Sequence, residues 1–570
     1  MAIFKGKNFA ALILAGALCG SAVASSAFAD DDGKNQPTAK PAAAAKIDAP
    51  APLTERERQL LDRVEQLEKR MAELESKAQT AAAPASPSTN SDSSSASGET
   101  PALAASATST ETTSRGVTNV AMITSVQPQA AEKNTTSIVK PKKAEPFAFA
   151  DWSWLTGNPR TKDTPYDTKF FTPEFRADID YVYDFNHPKD DTIGGSSEVF
   201  RSNEVHVTDI GVGGDFHYNN VRGRILSQIG LYSQTTARND ASPSRGQWNL
   251  ADAYRYVSEA YGGYHFDALH GVNVDAGIFL SYIGLFSYYQ FDNWAYQPSY
   301  VSSNTPWFFT GLRVQVYPTE KLKIEPWIIN GWQSYGRFNN RLGLGGQIAW
   351  RPNDKISIVA NQYGLGQDTI FTPGRTRYHT DDSIQVKYYD NPERFLDKAA
   401  FSLTGDAGCE SGGGVSCFGN RKGGPKQSFL GFMVYDRLWF HKDIYGLTIG
   451  GGRINNPGRY LVLLPPINGA TAASGTPYFT ENPGDPFKAW DISGTFDYMP
   501  SQYITFRWEY NHRAANVPYF SGPGGITPTS CPTASTVTNI CGSPGATVPG
   551  FTPDLRKTED RATLAILVKF

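Results

Sequence analysis

The chain closes on Asp560-Arg561-Ala562-Thr563-Leu564-Ala565-Ile566-Leu567-Val568-Lys569-Phe570. Ala562, Leu564, Ile566, Val568 and Phe570 fall on one face, and Arg561, Thr563, Ala565 and Lys569 on the other, with Leu567 the one large apolar residue among them. A period of two is a strand signal. One such stretch would fit any half-buried strand. Here the pattern recurs through some four hundred residues, roughly the span that a large outer-membrane β-barrel needs for its strands and loops. In lipid a sheet tolerates no open edge, so a terminal strand must close against the first.

The recurring stretches run upstream in pairs. Trp490, Ile492, Gly494, Phe496 and Tyr498 alternate with Asp491, Ser493, Thr495 and Asp497. After Met499-Pro500-Ser501-Gln502, Ile504, Phe506, Trp508 and Tyr510 alternate with Thr505, Arg507, Glu509 and Asn511. The same reading predicts strands over 175–185, 210–218, 221–232, 257–266, 272–283, 312–317, 322–328, 342–350, 356–363, 429–440 and 445–452. Their connections sort into two sets. Those near 219–220, 267–271, 318–321, 351–355, 441–443 and 499–502 are short; those near 186–203, 235–252, 285–305, 405–426, 453–486 and 514–558 are long. Short periplasmic turns against long extracellular loops are the habit of an outer-membrane barrel, whereas a soluble β-sandwich has no reason to sort them. The expected fold is all-β, a transmembrane antiparallel barrel of about 14–16 strands, with 16 favoured; an even count returns both ends to the periplasm.

Composition agrees. The chain has 570 residues with 28 Tyr, 32 Phe, 11 Trp and 53 Gly but only 40% hydrophobic content, which suits a lipid-facing band, aromatic girdles and a polar interior. A net charge of −3 argues against a nucleic-acid binder. No stretch reaches the 18 apolar residues of a spanning helix.

The N-terminal region reads as export and tether. Lys5 and Lys7 precede an apolar run from Phe9 to Leu18, and Ala27-Phe28-Ala29 fits a cleavage site, so 1–29 reads as a signal peptide. Residues 30–52 read as disordered. Leu60, Val64, Leu67, Met71 and Leu74 at heptad spacing within 53–77 predict a short periplasmic coiled coil, with Thr54 and Glu57 as a capping box. Residues 78–146 read as a low-complexity linker, and 147–570 as the barrel. In an exported chain the cysteine pairs Cys409–Cys417 and Cys531–Cys541 are expected to form loop disulfides.

Nothing points to catalysis. The eight His show no metal-binding spacing, Ser281, Asp275 and His270 lack a nucleophile-elbow setting, and the glycines near 343–346 and 364–366 lack the strand–turn–helix context of a phosphate loop. No enzyme, cofactor or metal is expected. Alternation instead sends Asp215, Arg222, Arg224, Arg313, Lys323, Glu325, Asp491, Asp497, Arg507 and Glu509 to the barrel interior as lumen-lining candidates. The loop 514–558 is expected either to fold inward and narrow the pore or to cap it.

From Phe147 to Phe570 the chain resembles the OmpL-like porin family. The resemblance lies in Gly277-Ile278-Phe279-Leu280-Ser281-Tyr282-Ile283-Gly284, Pro306-Trp307-Phe308-Phe309-Thr310-Gly311-Leu312-Arg313, Ile329-Asn330-Gly331-Trp332, Asn456-Pro457-Gly458-Arg459-Tyr460 and the terminal strand. It implies a pore in the bacterial outer membrane, in contact with outer-membrane lipids and lipopolysaccharide, and no catalytic residues. The alternation of Leu564, Ile566, Val568 and Phe570 looks like the signature read by the barrel assembly machinery. A leading coiled coil with a linker resembles trimeric porins that reach toward peptidoglycan, implying a homotrimer and a cell-wall contact. Two functions follow as expectations: a passive diffusion channel for small hydrophilic solutes or ions, and, as the alternative, an anchoring barrel tied to the cell wall.

Overall fold

Strands form where side chains alternate between two environments, and in this chain the apolar set faces outward. The computed structural model describes Lys69 and residues 145–570, except 190, 192, 197, 238–239, 241, 243–246, 338, 368–373, 420–425, 458–486 and 527–551. The expected signal peptide, disordered segment, coiled coil apart from Lys69, nearly all of the linker and the Cys531–Cys541 pair lie outside the described residues.

The strands are β1 (Phe171–Asp184), β2 (Val205–Tyr218), β3 (Val221–Ser227), β4 (Val257–Phe266), β5 (Val272–Leu280), β6 (Phe308–Thr319), β7 (Leu322–Ile329), β8 (Gly343–Asn353) and β9 (Ile356–Gln367). They continue as β10 (Thr376–Asp390), β11 (Leu396–Ser411), β12 (Ser428–Phe440), β13 (Tyr445–Asn456), β14 (Phe487–Ser501), β15 (Ile504–Ala515), β16 (Phe520–Ile526), β17 (Thr552–Arg556) and β18 (Thr558–Lys569). From β1 to β15 each strand pairs with the next, and β18 lies between β15 and β1. The result is one closed antiparallel barrel of 16 strands, with β16 and β17 set apart as a two-stranded hairpin.

Closure falls where the terminal alternation places it. Ala177, Ile179 and Tyr181 of β1 oppose Val568, Ile566 and Leu564 of β18. On its other side β18 sets Ile566 against Phe506 and Leu564 against Trp508. Phe570 stacks on Tyr503 with ring centroids 5.2 Å apart and packs against Phe175 at 6.0 Å. Deleting Thr563–Phe570 would leave β1 unpaired over Arg176–Val182 and β15 over Ile504–Glu509, an open edge that lipid does not allow. The expected result is loss of the heat-modifiable folded band on a gel, and a truncated chain that still folded would contradict this account of closure.

On β14 burial alternates along the strand: Asp491, Ser493, Thr495 and Asp497 are buried, while Trp490, Ile492, Phe496 and Tyr498 are exposed. This strand is therefore apolar outside and polar or charged inside. Three sequence expectations need correction. The predicted strands do not include β10 and β11, with their short turn at 391–395, and the predicted long loop takes in 405–411, which is the end of β11. The strand expected over 221–232 is also too long: β3 stops at Ser227, and Tyr232–Thr235 is a helical turn. Cys409 accordingly lies on a strand rather than in a loop; it is bonded to Cys417.

Candidate functional site

The loop that enters the barrel is the β5–β6 connection, 281–307. It carries Tyr282, Phe286, Tyr288, Tyr289, Phe291, Trp294, Tyr296 and Tyr300, all buried. An exposed extracellular loop has no use for so many rings, but a segment packed inside a barrel does. The loop 514–558, expected to narrow or cap the pore, carries the β16–β17 hairpin, and Tyr519 and Phe520 at its start are buried.

The inward loop is held by its backbone. Arg507 donates through Nη1 to the carbonyl of Gln290 (3.0 Å) and through Nη2 to that of Asn293 (2.8 Å). Arg437 donates to the carbonyl of Trp294 (3.2 Å). Glu509 accepts the amides of Tyr296 and Gln297 (2.6 and 2.8 Å), and Asp491 accepts the amide of Tyr300 and the hydroxyl of Ser299 (3.0 and 2.9 Å). Asp497 sits between the two guanidiniums, 2.7 Å from Arg507 Nε and 2.7 Å from Arg437 Nη2. On the adjoining strands β1 and β18, Arg176 (2.7 Å) and Lys569 (3.0 Å) pair with Asp292 of the loop. A loop without regular secondary structure leaves amides and carbonyls that must be satisfied when buried, and these wall charges satisfy them.

A second segment fills the end of the barrel that carries the short turns. Residues 145–163 run from the β6–β7 turn, where the Phe147 amide bonds the Glu320 carbonyl, to the β14–β15 turn. There Arg160 bonds the Met499 carbonyl (2.6 Å) and Thr161 that of Gln502 (2.7 Å). Phe147, Trp152, Trp154 and Leu155 are buried in one apolar cluster with the inner-wall residues Tyr317, Trp439 and Met499. The two segments touch at Gly157. Its amide bonds the Asp292 carbonyl (2.9 Å), its own carbonyl accepts from Arg437 (2.7 Å), and a Cβ there would lie 2.4 Å from the Asn293 carbonyl oxygen. Only glycine allows that approach.

All ten residues expected in the interior stand on the face opposite the apolar belt, but the structure uses them in different ways. Asp491, Asp497, Arg507 and Glu509 hold the inward loop. Arg224 binds Asp215, Glu174 and Glu259 (2.8, 2.7 and 2.8 Å), and Arg222 and Arg313 share Asp275 (3.3 and 3.0 Å). Lys323 pairs with Glu325 (2.6 Å). Asp215 and Arg222 are the most open of the ion-paired candidates, with side chains 16% and 17% exposed. Arg176, Arg437, Asp292 and Lys569 are not among the sequence candidates. Arg176 and Lys569 lie on predicted strands, on their polar phase, so alternation alone could have found them; Arg437 shares its phase with Phe429, Met433, Tyr435 and Trp439, and alternation does not mark it. Above the barrel wall, Asp240 of the β3–β4 loop accepts from Ser334 and from the Tyr335 amide (2.9 and 3.0 Å), tying two loops together; burial raises its carboxyl above the usual range. Among the described residues no group of three or more His, Cys, Asp or Glu is placed to hold a metal ion.

A family model described as "Putative beta-barrel porin-2, OmpL-like" matches residues 176–540, more than half of the chain. Among solved structures the chain is similar to an anion-selective porin from Comamonas acidovorans (8% identity, 70% of this chain and 99% of that one, TM-score 0.38). It is also similar to the outer membrane channel DcaP of Acinetobacter baumannii (12%, 70% and 96%, 0.38) and to Pseudomonas putida OprB (11%, 70% and 94%, 0.40). No curated protein matches the sequence.

Proposed function

The chain belongs to the OmpL-like β-barrel porin family of the bacterial outer membrane, and from that premise we propose that it is a passive diffusion channel for small hydrophilic solutes or ions. The observation that carries the reading is the inner wall: a closed barrel with charged side chains of both signs inside it, narrowed by a loop that those charges hold in place. A barrel with no path through it has little reason to fix a loop across its interior by so many polar contacts. The interior charges then act on passage at two levels. Asp497, Arg507, Glu509 and Asp491 set the width by fixing the loop, and the more open Asp215 and Arg222 meet the solute. Leu564, Ile566, Val568 and Phe570 are proposed as the assembly signal, and lipids and lipopolysaccharide as the surroundings of the apolar belt.

The second reading, an anchoring barrel joined to the cell wall by its N-terminal region, draws on one specific observation: the segment 145–163 occupies the end of the barrel with the short turns. Planar-bilayer recording of the folded chain separates the two. Stable conductance steps, with a reversal potential under a salt gradient that moves when Asp215→Asn or Arg222→Gln is introduced, are expected of the channel. A folded barrel that stays silent over a range of voltage and salt would overturn it in favour of the anchor.

A further inference from the structure

The outward face is not apolar all the way round. On β1, β2 and β5 to β8 it carries no charged side chain within the strands; on β5 it reads Val272, Val274 and Ala276, and on β7 Leu322, Ile324, Pro326 and Ile328. On β9 to β13 the same phase reads differently. Asp382 lies near the middle of β10, on the outward phase with Thr380 and beside Gln362 of β9. Gln362 bonds the Thr380 hydroxyl, and Thr380 bonds Asp382 (3.2 Å). Asp436 occupies the outward phase of β12 between Val434 and Leu438, where the Tyr388 hydroxyl donates to it (3.0 Å).

Carboxylates at mid-strand depth are costly against acyl chains, which offer neither donors nor water. The backbone around them is also bare. Asp382 pairs with Gly405, Gly405 with Phe432, and Phe432 with Arg453, so an acid and a base lie in one inter-strand row with a glycine between them. A Cβ at Gly405 would meet no atom within 4 Å. Beside it a groove of about 920 Å³ opens over β10 to β14, walled by Phe432, Ile449, Trp490 and Ile492 and containing Asp436 and Arg453.

We propose that the outer face of β9 to β13, centred on Asp382, Gly405 and Asp436, is where a second copy of this chain docks within the membrane. The occupant sits at the depth of Asp382 and adds hydrogen-bond donors to those that Thr380 and the Asn361 amide give Asp382 and Tyr388 gives Asp436, which a lipid tail cannot do. A phosphate-bearing lipid headgroup would meet two carboxylates of its own sign. A surface that offers carboxylates, a guanidinium, amide and hydroxyl donors, and small residues for close backbone approach is complementary to a copy of itself. The groove then accepts the partner's aromatic side chains.

Two glycines make the test. Gly405 on β11 and Gly262 on β4 both face outward, with open space where a Cβ would stand, so each accepts a large side chain in the isolated barrel, and they lie on well-separated sectors. Benzoylphenylalanine replacing Leu403, beside Gly405, is irradiated in outer membranes carrying the full chain, with the same residue replacing Tyr264 on β4 as the control. The expected product at 403 is an adduct of two identical chains, confirmed by mass spectrometry, with none at 264. Gly405→Trp should reduce the 403 adduct at least tenfold while Gly262→Trp leaves it unchanged, both variants keeping the heat-modifiable folded band. No self-adduct at 403, an adduct with a different protein, or indifference to Gly405→Trp would each overturn the proposal.

Discussion

Arg507→Ala should raise single-channel conductance several-fold and lower the unfolding temperature of the same barrel. The two effects come from one side chain. Arg507 makes two bonds to Asp497 and two to backbone carbonyls of the inward loop. Removing it leaves the carbonyls of Gln290 and Asn293 without those donors and leaves buried Asp497 with Arg437 as its remaining cation. Breaking a buried ion pair by deleting one partner costs about 3–5 kcal/mol. Loss of the two carbonyl contacts loosens the loop at Gln290 and Asn293, on either side of its anchor at Asp292, while Arg437 and Glu509 still hold Trp294, Tyr296 and Gln297. Arg507→Lys should fall between the variant and the native chain, because one ammonium cannot reproduce a planar fork that serves a carboxylate and two carbonyls. The control is Lys323→Met. It breaks a buried pair of comparable length, 2.6 Å, in which Glu325 is also bound by Gln315 of the neighbouring strand and by the Trp327 indole of its own strand, 2.9 Å each. It should cost stability and leave conductance nearly unchanged. If both variants conducted alike, Arg507 would be a structural ion-pair member with no hold on the width of the path.

How far the sequence foretells this depends on contrast between the two faces of each strand. β14 and β15 are legible residue by residue because a ring or aliphatic group alternates with a charge or polar group over most of their length. β10 is not, because Tyr378-His379-Thr380-Asp381-Asp382-Ser383 carries polar groups on both phases. The physical reason is the one argued above: part of its outward face is not built for lipid, so the period-two signal fades where a protein partner is proposed. β11 fades for a different reason. Gly405, Ala407 and Gly408 give neither phase a large side chain. For the candidate site, alternation could say that Arg507 and Glu509 point inward but not what they meet. Their targets are backbone atoms some two hundred residues away, and no side-chain pattern encodes a carbonyl. The inward loop does leave a trace in its run of Tyr, Trp and Phe between 282 and 307, which marks a buried segment more than an exposed one.

The segment at the short-turn end yields the other large expected effect. Phe147→Ala combined with Trp152→Ala should open that end and raise conductance independently of Arg507. These rings cover Arg351, whose guanidinium carbon lies 4.7 Å from the centre of Phe147 and 4.4 Å from that of Trp152. Arg351 is 2% exposed, its Nε has no hydrogen-bond partner, and among the described residues no carboxylate pairs with it. Contacts of a cation with an aromatic face contribute about 0.5–2 kcal/mol each, less than a buried guanidinium loses with its water. The segment is thus held by its apolar cluster against the tendency of Arg351 to rehydrate. Two substitutions at one contact should therefore act in opposite directions. Removing the rings lets Arg351 reach water and releases the segment, whereas Arg351→Met removes the buried charge and seats the segment more firmly. Conductance should rise in the first variant and fall or hold in the second, and protease cleavage between 145 and 163 should follow the same order. A rise in both would mean that Arg351 is needed to hold the segment in place, and the seat would then have to be understood as a cation–aromatic clamp.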